Sequence, residues 1–399
     1  MPMKMSQNQR TCLILVISIL FTDELLYSII IPIIPYFSEH YQMSSSMTGL
    51  LFSSYAISSL VATPFFGMMA DRFGRHAPIL SGLAILLLAT LLFAFSHSYT
   101  LLIVSRTIQG IGAGAAWAAS LALLADLFPS ELRGRAMGMA FTGISTGSLL
   151  GAPVGGFIFE FGGYQWPFLF VAGLSVLNFI LFSALVPKSR VREQSVKVPM
   201  LSLLKNRAVL FIVSIILIVS TTLCLLDPIL PILFSDRFQS PSWLIGLLFG
   251  GMTLANALIS PVSGFLSDRY NSRSTILVGL IGIAIALPLM ALSQVLWQEI
   301  CAMILAGFGI GFTLSPALSH LGNAVGKDGS QAYGKTYALS DMCFTTGMVM
   351  GPLIGGVVSD IWSSGAVLNL FGIVIFLFVL GFIGTHHRSK NRSVGRWLK

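Results

Sequence analysis

Gly67-Met-Met-Ala-Asp71-Arg72 recurs as Gly264-Phe-Leu-Ser-Asp268-Arg269, 197 residues further along the chain. Two more pairs keep nearly the same distance. Pro32-Ile-Ile-Pro35 returns as Pro228-Ile-Leu-Pro231 after 196 residues, and Gly151-Ala-Pro153-Val-Gly155-Gly156 returns as Gly351-Pro-Leu-Ile-Gly355-Gly356 after 200. A repeat of this period divides the 399 residues into two halves of similar length and the same direction. In a membrane, parallel repeats of this kind belong to carriers that rock around a central site.

Composition places the chain in a membrane. Hydrophobic side chains make up 55% and charged ones 10%, with a mean hydropathy of +0.85, whereas soluble domains are about one-quarter charged. That excludes a soluble enzyme and a secreted domain. The 39 Gly and 17 Pro suit packed membrane helices, whose neighbours satisfy freed backbone groups and which use small residues for close approach. Cys12, Cys224, Cys301 and Cys343 lie in apolar stretches without Cys-x-x-Cys spacing, so they read as buried thiols rather than disulfides or metal ligands. Lys4 and Arg10 precede an apolar run that continues to Phe37 without a small-residue cleavage site, which reads as a retained first helix.

Apolar runs between charges and turn residues predict six helices, near Thr11–Phe37, Thr48–Ala70, Ala77–Ser96, Tyr99–Phe128, Ala136–Phe161 and Tyr164–Pro187. Six more are predicted near Ala208–Phe234, Trp243–Ser267, Ser274–Ser293, Trp297–Val325, Ala332–Asp360 and Ile361–Thr385. The expected fold class is an all-α membrane protein of twelve transmembrane helices in two six-helix repeats. Its bundles occupy 1–187 and 208–385, with a basic linker at 188–207 and a basic tail at 386–399. Of the 23 Lys and Arg, all but Arg106 and Arg237 fall in segments on one side of such a membrane. Positive charge marks the cytoplasmic side, so both termini are expected there. Topology thus explains the +8 net charge, and no nucleic-acid partner is needed.

Ionisable groups left inside the spans are costly and mark function by default. Asp23 and Glu24 fall along the first helix, Arg106 in the fourth, Asp227 in the seventh and Asp341 in the eleventh. Four acids against one base favour a cationic ligand. Adjacent residues on a helix lie about 100° apart, so at most one of Asp23 and Glu24 points fully into a shared cavity. Asp23 is the better candidate because Tyr27, at i+4, supplies an aromatic face beside it for an amine. Asp227 precedes Pro228, and Pro231 removes the donor to the Asp227 carbonyl, which predicts a mid-membrane break or kink. Asp341 has Tyr337 at i−4. Arg106 and Gln109 share a face with Gly110 beside them, and a buried guanidinium is expected to pair with these acids. Trp117, eleven residues on, returns close to the same face and is a candidate cavity wall.

Asp71, Arg72 and Arg75, with Asp268 and Arg269, stand at helix ends where acids and bases can pair, and read as conformational latches. No phosphate-binding Gly-x-x-x-x-Gly-Lys loop is present, which argues against ATP-driven transport. No catalytic or metal-ligating constellation is read from the chain.

These residues resemble the major facilitator superfamily over nearly the whole chain. Gly67–Arg75 is similar to its signature between helices two and three, and Arg106-Thr-Ile-Gln109-Gly110 to its helix-four motif, associated with proton coupling. Gly138, Gly147 and Gly151, followed by Pro153 and Gly155-Gly156, resemble the fifth-helix antiporter motif, with Ala152 where that motif has its first Pro. Asp23–Pro35, Leu226–Pro231 and Tyr333–Asp341 look most like vesicular monoamine transporters and their bacterial drug/proton antiporter relatives. That resemblance implies amine recognition at Asp23 and roles in coupling and binding at Asp227 and Asp341. Tyr55 stands where vesicular members have a Lys, and Asn323 where they have an Asp. The first external loop, Ser38–Met47, is far shorter than theirs, which fits a bacterial cell membrane.

The expected function is proton-coupled export of cationic aromatic monoamines or lipophilic cationic drugs by alternating access. The expected substrate site comprises Asp23, Tyr27, Asp227, Tyr337, Asn323 and Trp117. Proton coupling is expected at Asp23, Glu24, Arg106, Gln109, Asp227 and Asp341, and gating at Gly67, Asp71, Arg72, Arg75, Gly147, Gly151, Pro153, Gly155, Asp268 and Arg269. Expected partners are a small cationic organic substrate, H⁺ and the lipid bilayer, with the proton gradient in place of a cofactor and a monomer as the working unit. A facilitator or exporter for a neutral metabolite or drug is the alternative, for which four buried acids are an odd endowment.

Overall fold

The computed structural model describes residues 5–187, 206–325 and 331–394, except for the side chains at 130–131, 207–208, 322–325, 331–338 and 384–394. The described chain forms helices α1 (Gln7–Ser28), α2 (Ile34–His40), α3 (Ser45–Phe73), α4 (His76–Ala94), α5 (Tyr99–Leu127), α6 (Ser130–Gly162) and α7 (Gln165–Leu185) in its first half. The second half contributes α8 (Arg207–Phe238), α9 (Ser242–Arg269), α10 (Ser272–Leu292), α11 (Leu296–Val325), α12 (Gln331–Ile361) and α13 (Ser364–Val394). Among the described residues, twelve segments are long and apolar enough to cross a membrane. The shortest of these spans, α4 with 19 residues, is about 28 Å long at 1.5 Å per residue, close to the thickness of a bilayer core.

Helix ends follow local chemistry. Ser6 and Gln9 form a reciprocal capping box at α1, Ser44 and Ser98 cap α3 and α5, and Asn271 caps α10. Gly74 and Gly163 end α3 and α6 at φ 88° and 82°, a region that other residues enter at a cost.

Three expectations are corrected here. The first span is compound, because around Pro32 and Pro35 the chain tightens into a 3-10 turn at Ile31–Ile33 between α1 and α2, with the Ile33 amide donating to the Ile30 carbonyl at 3.0 Å. The seventh span, where a break or a kink is expected at Asp227-Pro228, is not broken and stays helical through both prolines. Each proline removes one donor, and packed neighbours let a membrane helix absorb that loss without interruption. Finally, Cys301 is exposed on α11 while Cys12, Cys224 and Cys343 are buried as free thiols. The linker at 188–207 lies almost wholly outside the described residues, and the last helix, expected to end near Thr385, continues to Val394.

The two halves pack alike. In the first, α1 lies on α6, α3 on α5, and α4 on α5 and α7; in the second, α8 lies on α12, α9 on α11, and α10 on α11 and α13. The expected gating glycines Gly147, Gly151 and Gly155 occupy the α1–α6 contact: a Cβ there would come within 2.6 Å of the Phe21 carbonyl, 3.1 Å of the Leu25 carbonyl and 2.5 Å of the Ile29 carbonyl. Backbone therefore meets backbone, the close approach that small residues permit in membranes.

Two seams join the halves, α3 with α12 and α6 with α9. They are related by the repeat. Gly49 abuts the Pro352 carbonyl in one seam as Gly246 abuts the Ala152 carbonyl in the other, with Pro153 packed on α9 through Gly250. Both glycine contacts lie on the face away from the basic loops. Towards the basic end the corresponding glycines have room among the described residues: a Cβ on Gly67 would meet nothing within 4 Å, and one on Gly264 only the Ser315 hydroxyl at 3.5 Å. The two glycine contacts thus close the seams on the face away from the basic loops.

Gly151→Val is expected to lower stability by about 1–3 kcal/mol through overpacking against α1, while Gly138→Val, at a position with open space around it, changes it little. Thermal unfolding of the two purified variants checks this, and equal losses would contradict the packing described.

Candidate functional site

Arg106 lies on α5 and is only 1% exposed. Gly110, one turn on, has no room for a Cβ beside the Tyr55 carbonyl and Ser58 hydroxyl, so α3 runs against α5 and brings its aromatic side chains over the guanidinium. The Arg106 Cζ sits 4.7 Å from the ring centre of Tyr55, 5.6 Å from Tyr27 and 5.9 Å from Phe52. Tyr27 in turn lies 5.6 Å from Tyr55 and 5.9 Å from Phe52 between ring centres. Desolvated cation–π contacts of this type contribute about 2 kcal/mol. Arg106 Nη1 donates to Gln109 Oε1 at 3.2 Å, and Gln109 Nε2 donates to Thr90 Oγ1 at 3.4 Å.

The expected ion pair between Arg106 and the acids is absent among the described residues: no carboxylate oxygen lies within 4.0 Å, and Nε and Nη2 have no hydrogen-bond acceptor. The acids are instead reached through the rings. Tyr55 donates its hydroxyl to Asp23 Oδ1 at 2.8 Å, and Tyr27 donates to Asp227 Oδ2 at 3.1 Å. Asp23 and Asp227 are 8% and 6% exposed, so in each case a phenol supplies the hydrogen bond that a buried carboxyl needs. The Tyr27–Asp227 bond also crosses from α1 to α8, and therefore from one half to the other.

Sequence-predicted residues separate into two groups. Asp23, Tyr27, Arg106, Gln109 and Asp227 are brought together. Glu24 is half-buried on α1 beside Gly147 and within electrostatic range of Asp23 and Asp227. Asp341 is half-buried on α12. Trp117 is about 16 Å further along α5 from Arg106 at 1.5 Å per residue and packs on Phe141 of α6 in a separate apolar cluster. The side chains of Asn323 and Tyr337 lie outside the described residues.

The expected latch residues make no ion pair between the halves among the described residues. Arg75 pairs with Asp71 at 2.6 Å and with Asp126 at 2.8 Å, all in the first half. Partial burial works against its charge, but the hydrogen bonds to Asp126 and Asp71 outweigh this and raise the Arg75 pKa above its ordinary value. Arg72 stacks over Phe73 and Arg269 over Tyr270.

Two buried groups were not expected in their observed roles, and a third gained its role only from packing. Phe52 looks like an ordinary apolar-helix aromatic until α3 is placed on α5, and Tyr55, noted only as standing where the resemblance has a Lys, gains its role from the same contact. Glu299 was also missed. It is fully buried in the first turn of α11, accepting from the Ser293 hydroxyl, while Arg237 donates to the Ala291 and Ser293 carbonyls at 3.1 and 2.9 Å. Glu299 falls two residues inside the predicted helix Trp297–Val325, close to its end, and is not among the buried charges singled out from the sequence.

The family model of the Major Facilitator Superfamily matches residues 16–226 and 210–397. The chromaffin granule amine transporter of Rattus norvegicus is 33% identical over 332 residues, which cover 83% of this chain and 64% of the relative. The synaptic vesicular amine transporter of Homo sapiens is 30% identical over 332 residues, covering 83% and 65%. The chain thus spans less than two thirds of the length of these relatives. Among solved structures, a bacterial homologue of the human lysosomal transporter Spinster, inward-facing and occupied, superposes with a TM-score of 0.82 at 14% identity, over 96% of this chain and 98% of that one. The nucleoside transporter NupG does so with a TM-score of 0.74 at 13% identity, over 95% and 99%. At such identities these likenesses concern fold alone. With twelve candidate spans, the repeat and the family match in agreement, the chain belongs to the Major Facilitator Superfamily, a family of membrane carriers and not of enzymes.

Proposed function

We propose that the chain is a proton-coupled antiporter that exports cationic aromatic monoamines or lipophilic cationic drugs by alternating access. We place it in a bacterial cell membrane with both termini cytoplasmic. The observation that carries this reading is the pair of buried carboxyls, Asp23 and Asp227, each held by a tyrosine hydroxyl in one aromatic cluster. The amine transporters among the relatives support the substrate class.

The physical logic is competition by charge. A carboxylate in a low-dielectric site attracts an ammonium strongly, and the same carboxyl once protonated attracts it hardly at all. Asp23 is the candidate ammonium partner, with Tyr27 and Tyr55 offering ring faces for the organic body. An arriving ammonium makes a charge-assisted bond to Asp23, about twice as strong as the neutral phenol's, and so can displace the Tyr55 hydroxyl. Asp227, Asp341, Glu24 and Arg106 are assigned to proton binding and coupling. Because Tyr27 joins Asp227 across the halves, loss of that bond ties the protonation of one half to its freedom to move against the other.

Inside-out vesicles driven by a pH gradient are expected to accumulate labelled serotonin, and Asp23→Asn to reduce the rate at least about tenfold, the scale of one lost charge-assisted bond. A normal rate in Asp23→Asn would remove Asp23 from the site. Tyr55→Phe leaves the Asp23 carboxyl buried without its donor, which is expected to cost about 1–3 kcal/mol of stability. An unchanged melting temperature would show that the phenol is dispensable to that carboxyl.

A further inference from the structure

The two seams between the halves differ in one charged group. Asp360, one residue before the end of α12, accepts from the Ser45 amide through Oδ1 at 2.8 Å and from the Ser46 amide through Oδ2 at 2.9 Å. These are the first two amides of α3, in the other half of the molecule and 315 and 314 residues away. The next two are served locally, Met47 by the Ser44 side chain at 3.2 Å and Thr48 by the Ser44 carbonyl at 3.0 Å. The amides of Ser45, Ser46 and Met47, which have no partner within the helix, are therefore all satisfied, two of them from across the seam, and regular helix bonding begins at Thr48. A carboxylate at a helix N-terminus also gains from the helix dipole.

The repeat supplies an internal control. Gly356 abuts the Ser45 and Ser46 backbone in one seam, and Gly156 abuts Ser242 and Trp243 at the start of α9 in the other. The residue four positions after Gly156 is Glu160, the counterpart of Asp360. Yet Glu160 is exposed and makes no hydrogen bond among the described residues, and α9 begins at Pro241 without a side-chain cap. The backbone packing is duplicated, but the carboxylate clamp is not.

We propose that Asp360 is a one-sided latch that holds the two halves shut on the face away from the basic loops, and that it releases each time that face opens. Its two hydrogen bonds exist only in the sealed seam, so they favour this arrangement over the one open on the opposite face. Asp360 is exposed, and water replaces its bonds when the seam parts, which keeps the latch reversible. The latch rests on the alternating-access reading only in requiring the seam to open, and its test uses neither substrate nor proton gradient.

The test is the distance between spin labels at Gln42→Cys and Trp362→Cys, both exposed and in opposite halves, by double electron–electron resonance in a background lacking native cysteines. Asp360→Asn is expected to raise the population with separated labels about fivefold, the scale of losing a helix-capping carboxylate, while Glu160→Gln leaves the distribution unchanged. Ser45→Pro removes one of the two donors at a helix position that accepts proline, and is expected to shift the distribution in the same direction. Combined with Asp360→Asn, it adds less than the sum of the two. An unaltered distribution in Asp360→Asn, or full additivity of the two variants, would overturn the latch.

Discussion

A guanidinium buried within a bundle of membrane-spanning helices has no water to solvate it, so the protein must do so. Arg106 is solvated mainly by the faces of Tyr27, Phe52 and Tyr55 and by one amide, that of Gln109. Much else follows from that arrangement. The rings can reach the guanidinium only because Gly110 lets α3 touch α5, and with their faces turned to Arg106 the two tyrosines carry their hydroxyls to Asp23 and Asp227. One cation thereby organises two acids without touching either. Direct pairing would neutralise the carboxyls and leave little for a ligand to gain, whereas phenols satisfy them and can be displaced.

The repeat reveals which features belong to the scaffold and which to the site. Gly110 abuts the Tyr55 carbonyl in the first half, and 197 residues on Gly307 abuts the Met252 carbonyl in the second. The packing is conserved within the molecule, but the residues that would correspond to Arg106 and Tyr55 are Met303 and Met252. Close helix contact is thus common property of the two halves, while the buried cation and its aromatic surround occur in one. The asymmetry of the outer seams at Asp360 has the same character: shared backbone geometry, with charge added on one side.

Hydropathy and the repeat were enough to read the membrane fold, because both depend on composition over whole helices. The glycine stripe from Gly147 to Gly155 was likewise legible, since spacing by four puts small residues on one helix face. Partners between helices were harder. The same Pro-x-x-Pro spacing tightens into a 3-10 turn at Pro32 and stays helical at Pro228, a difference set by neighbours that local sequence does not encode. Arg106 was legible as buried and Gln109 as its neighbour on the same face, but the aromatic rings over the guanidinium were not, because Tyr27, Phe52 and Tyr55 come from other helices and aromatic residues are common in any apolar span. Asp360 left no trace because its partners are backbone amides, which every residue has.

The central claim is that amine and proton compete for one set of buried carboxyls. The most direct measurement is proton release when serotonin is added to the purified protein in weakly buffered solution. The expected result is release of about one proton or more per bound amine, with amine affinity falling as pH falls by the same linkage, and loss of release in Asp23→Asn. Amine binding without proton release, at an affinity independent of pH, would contradict it.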